Sequence, residues 1–74
     1  MNKNHRAVEA HTLAAHEHEA AAQSHRAAAE HCDKGNHEGC EHHARTALEQ
    51  SAKAHVASTE AHQKSAHQVA VGAK

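Results

Sequence analysis

Histidine returns every seven residues along the first half of this chain, at His11, His18 and His25, and the next step of seven lands on Cys32. Alanine keeps the same period beside it, at Ala7, Ala14, Ala21 and Ala28. Seven residues are two turns of an α-helix, so each set forms a stripe, and stripes that repeat over several heptads imply packed helices. The repeat is nearly literal where His18-Glu19-Ala20-Ala21-Ala22-Gln23-Ser24 is followed by His25-Arg26-Ala27-Ala28-Ala29-Glu30-His31. The second half has a seam of its own on Leu48, His55, His62 and Val69, flanked by Cys40, Ala47, Ala54 and Ala61 and by Ala44, Ser51, Ser58 and Ser65.

The rest of the composition agrees with helix. Proline is absent, glycine occurs three times, and Ala, Glu, Gln, Lys and Arg dominate. Asn4 can cap a first helix over residues 4–34. Lys34-Gly35-Asn36 supplies a turn, and Asn36 can cap a second helix over 37–71, with Gly39 a mild weakness in its first turn. The expected fold is all-α, an antiparallel two-helix hairpin forming one domain over residues 1–74. There is no Phe, Trp or Tyr, and only two Leu and one Met. Alanine contributes little burial per residue, so so small a core is best shared, and a homodimer forming a four-helix bundle is expected.

Folding the hairpin at Asn36 is expected to set Cys32 opposite Cys40, His25 opposite Ala47 and Leu48, His18 opposite Ala54 and His55, and His11 opposite Ala61 and His62. Val8, Val69 and Val71 would close the open end. No two histidines are three or four residues apart, so one helix alone cannot chelate an ion with them and a metal site must span both. Two-ligand layers are expected at His18/His55 and His11/His62, with His25 on the same stripe. The densest donor set surrounds the turn: His31, Cys32, His37, Cys40 and His43, with His42 beside them. Thiolate and imidazole together suit Zn(II) or Cu(I). The competing reading of two cysteines flanking a turn is a disulfide; thiols are preferred here because no secretory leader is evident. His5, His16 and His67 lie off the seam and are expected at the surface, His16 near Glu19 and His5 near Glu9.

The stretch His31-Cys32-Asp33-Lys34-Gly35-Asn36-His37-Glu38, followed by His42-His43-Ala44, resembles the centre of a group of short bacterial Ala- and His-rich proteins. That group repeats AA-x-HH elements around a G-N-H-E turn. Its members are uncharacterised helical hairpins, so the resemblance implies a fold and almost no function. The layered seam is similar in architecture alone to bacterial copper-storage four-helix bundles.

Several function classes are disfavoured. The eight Lys and Arg are scattered among nine acids, and no aromatic side chain is available to stack on bases, so nucleic acid is not an expected partner. No apolar run is long enough to cross a bilayer, which points to a cytoplasmic chain with no membrane partner. No nucleophile elbow, phosphate loop or HExxH motif is present, and no enzymatic activity is expected. The leading expectation is therefore a protein that buffers, stores or delivers a transition metal (Cu, Zn or Ni). The alternative is a structural or interaction module with no metal, possibly stapled by a disulfide. Its net charge of −1 rises to +11 when the twelve histidines are protonated, so neutral imidazoles on the seam would respond to acid.

Overall fold

A computed structural model of the chain describes residues 4–72, with side chains described for residues 4–66. Two helices, α1 (His5–Asp33) and α2 (His37–Gly72), pack along one another as an antiparallel hairpin, with no strand among the described residues. The rod measures 57 × 17 × 12 Å. His67, Val69 and Val71, expected at the open end, lie outside the described side chains.

Local chemistry fixes both ends of α1. The Asn4 side-chain oxygen accepts from the Ala7 N–H at 3.1 Å, while the Asn4 amide donates across to the Lys64 carbonyl at 3.1 Å and ties the open end together. At the other end the Asn36 N–H donates to the His31 carbonyl (2.9 Å) and the Gly35 N–H to the Cys32 carbonyl (3.1 Å). This pair of bonds closes a helix through a left-handed residue, here Gly35 at φ 78°. Asn36 then caps α2, its side-chain oxygen accepting from the Gly39 N–H at 3.1 Å. One short turn thus ends one helix and starts the next.

Gly39 proves to be more than a weak point in α2. A Cβ there would stand 2.6 Å from His31 Nδ1 and 2.7 Å from Asn36 Nδ2, so a larger residue would have to displace the His31 ring and the Asn36 amide from their present places.

The core consists of alanine alone. Ala7, Ala10, Ala14, Ala21 and Ala28 are buried from α1, and Ala47, Ala54, Ala57 and Ala61 from α2. No polar side chain is buried among the described residues. This corrects the expected seam of α2. Leu48, His55 and His62 are exposed; each follows Ala47, Ala54 or Ala61 by one residue, which turns it about 100° away around the helix. His11, His18 and His25 are also exposed. They follow Ala7, Ala14 and Ala21 by four residues, about 40° round, and stand at the rim of the seam rather than inside it. The cause is steric. Methyl groups let two backbones approach closely, and that close approach leaves no room for a ring between them.

Candidate functional site

Three identical pairs line one edge of the rod. His11 Nε2 lies 2.9 Å from Ser65 Oγ, His18 Nε2 is 2.7 Å from Ser58 Oγ, and His25 Nε2 is 3.1 Å from Ser51 Oγ. The expected layers His18/His55 and His11/His62 are therefore replaced by histidine–serine pairs, with His55 and His62 facing away from the seam. The serines carried a readable signal, since their own seven-residue period matches that of the histidines. Successive pairs are ~10 Å apart along the axis, too far for two of them to hold one ion.

Each hydrogen bond survives a change in the charge of the ring. A neutral Nε2 accepts from the serine hydroxyl, and a protonated one donates to its oxygen. These rings stand at the rim of the seam and not between the helices. The ladder also contributes little energy, because its partners are wet and serine is a poorer helix former than alanine. Replacing Ser51, Ser58 and Ser65 together by alanine is expected to shift unfolding stability by no more than ~0.5 kcal/mol per site in urea titrations. A summed loss above ~3 kcal/mol would make the ladder a principal support of the fold.

The other edge of the seam is different. Ser24 Oγ donates to Gln50 Oε1, and towards the tip the rings of His31 and His43 stack with centroids 4.7 Å apart and planes 22° from parallel. His42 meets His43 edge-on at 5.1 Å. The Asn36 amide donates to His31 Nδ1 at 3.0 Å. Of the histidines with described side chains, only His31 and His43 are half-buried; His37 is exposed. Elsewhere His16 approaches Glu19 at 4.0 Å, an exposed pair of little energetic weight.

Cys32 and Cys40 form a disulfide, with Cα atoms 4.8 Å apart. The preference for free thiols is thereby corrected. Once the turn places the last turn of α1 beside the first turn of α2, both sulfurs lie within bonding reach. Sulfur in this bond has no thiolate charge to offer a metal. Among the described residues no group of three or more His, Cys, Asp or Glu side chains is placed to hold an ion.

A third feature is apolar. Val8, Leu13, Leu48 and Val56 are all exposed. Leu13, Val56, Ala10 and Ala57 line a shallow groove between the helices, on whose banks acids and bases are mixed: Arg6, Glu9, Glu17, Lys53, Glu60 and Lys64. A second depression along α1 joins Leu13 to Val8. No helix among the described residues is long and apolar enough to cross a membrane. The chain matches no known family model, and no curated protein or solved structure is measurably similar to it.

Proposed function

We propose that this chain is a structural or interaction module, a disulfide-stapled hairpin whose exposed Leu13–Val56 edge mates with a second copy to give a four-helix bundle. One observation carries the reading. Every large aliphatic side chain described, from Leu13 at 51% to Leu48 at 68% exposure, is outside, while alanine fills the inside. A chain with so little aliphatic bulk gains by burying Leu13 and Val56 on association.

A second copy is the favoured occupant because the banks of the groove are self-complementary. Glu17 and Lys53 border the same stretch, as do Glu9, Arg6, Glu60 and Lys64, so a two-fold axis can set acids of one copy against bases of the other. A lasting Cys32–Cys40 bond belongs to an oxidising compartment, so the cytoplasmic expectation applies to the reduced chain.

Sedimentation equilibrium with a chelator present tests the proposal. The parent chain is expected to be a dimer at micromolar concentration, and L13E combined with V56E to be a monomer of unchanged helicity. A parent that stays monomeric at about 100 μM, some −5 kcal/mol or weaker, rules the proposal out. So does a double variant that dimerises as well as the parent.

A further inference from the structure

We infer that the Cys32–Cys40 staple is a modification site with a direction. A low-molecular-weight thiol opens it by attacking Cys32, which keeps the small thiol as a mixed disulfide, while Cys40 is released as the free thiolate. The inference does not rest on dimerisation. Leu13 precedes Ala14 by one residue and Cys32 follows Ala28 by four, so the Leu13–Val56 groove and Cys32 lie on opposite sides of the seam and a dimer leaves the staple open.

Two independent features of the tip set the direction. The first is access. Cys32 is exposed, whereas Cys40 is half-buried, and an incoming thiolate reaches the sulfur with the open approach first. The second is the stability of the thiolate that departs. Cys40 closes the first turn of α2, its N–H donating to the Asn36 carbonyl at 2.8 Å, and the N–H groups of that turn form the positive end of a 36-residue helix. Cys32 stands in the last turn of α1, where its own carbonyl accepts from the Gly35 N–H at 3.1 Å and the helix end is negative. A thiolate is stabilised at the first kind of end and destabilised at the second. Side-chain charge does not reverse this: Glu41 beside Cys40 is offset by Arg45 at 3.4 Å, and Cys32 has Asp33 beside it. The better-stabilised thiolate leaves faster, so both features send the attack to Cys32.

The chemistry balances simply. The small thiolate gives its electron pair to Cys32 Sγ, the sulfur–sulfur bond breaks, and Cys40 Sγ keeps the bonding pair and takes a proton from solvent. A second small thiolate then attacks the small sulfur of the mixed disulfide and releases Cys32, so two small thiols lose two electrons to the staple and become one disulfide. Where no second molecule arrives, Cys40 attacks Cys32 and expels the first. That return is favoured by the Gly35 turn and the Asn36 cap, which keep the two residues adjacent without using sulfur.

The test is exposure of the oxidised full chain to a large excess of 2-mercaptoethanol, an uncharged thiol whose approach is not biased by Asp33 or Lys34. The reaction is quenched with acid at a series of times, free thiols are blocked with a maleimide, and cleavage after Lys34 separates the two cysteines for mass spectrometry. Among singly modified chains, mercaptoethanol on Cys32 with maleimide on Cys40 is expected to exceed the inverse pattern by roughly threefold or more. In concentrated guanidinium chloride, where the helix ends and the difference in burial are gone, the ratio is expected to fall close to one. A native ratio below about threefold, or one that favours Cys40, overturns the inference. A preference that persists unchanged in the denaturant does so too, because neighbours in sequence rather than the fold would then set it.

Discussion

Ala54→Asp is expected to unfold the hairpin at room temperature, whereas Ala15→Asp leaves it folded. Both substitutions put the same residue into the middle of a helix, so the loss of helix propensity, about 0.5 kcal/mol, is common to the two. Burial separates them. Ala54 has no solvent exposure, Ala15 is exposed, and no polar side chain is buried nearby to receive a carboxylate. An unpaired buried charge costs on the order of 3–5 kcal/mol, which equals the whole stability that a core of this size supplies. Circular dichroism at 25 °C checks the outcome. A helical, cooperatively melting Ala54→Asp variant would mean that the alanine seam is not the principal contact between the helices.

The second large effect concerns the staple. Replacing Cys32 and Cys40 by serine is expected to lower the melting temperature by roughly 10–20 °C. Closing a loop of this length restricts the unfolded chain by about 2.5 kcal/mol, and each kcal/mol moves the midpoint of so small a domain by ~4–8 °C. Lost packing adds little, since Cys32 is exposed and Cys40 only half-buried. The parent under reducing conditions should melt together with the serine variant, both free of metal and at one protein concentration, because dimerisation also shifts the midpoint. A difference below about 3 °C between oxidised and reduced parent would show that the turn holds the tip without help.

Much of the fold was legible because its signals are local. Asn4, Gly35 and Asn36 act where they stand, through caps and a left-handed turn, and the helix limits fall within a residue of the expected ones at all four ends. The period of the seam was also plain. Its phase was not. A stripe of seven identifies a face of a helix without saying whether the residue at its centre is the alanine or its neighbour 40° or 100° away. Choosing the larger side chains put His18 against His55, whereas the close approach of two alanine faces decides the matter and gives His18 to Ser58. The state of Cys32 and Cys40 depended on the distance the turn leaves between them, which spacing in sequence does not reveal.

The rim pairs carry a consequence for how such a molecule can change in size. Three successive heptads of α1 each contribute a seam alanine and a rim histidine, and three heptads of α2 answer with a seam alanine and a rim serine. The rod is thus built of matching rungs. A duplication of seven residues in both arms at one level would leave every other rung and the tip undisturbed. The same duplication in a single arm would strand an alanine stripe in water, so descendants of this chain can lengthen only by paired steps.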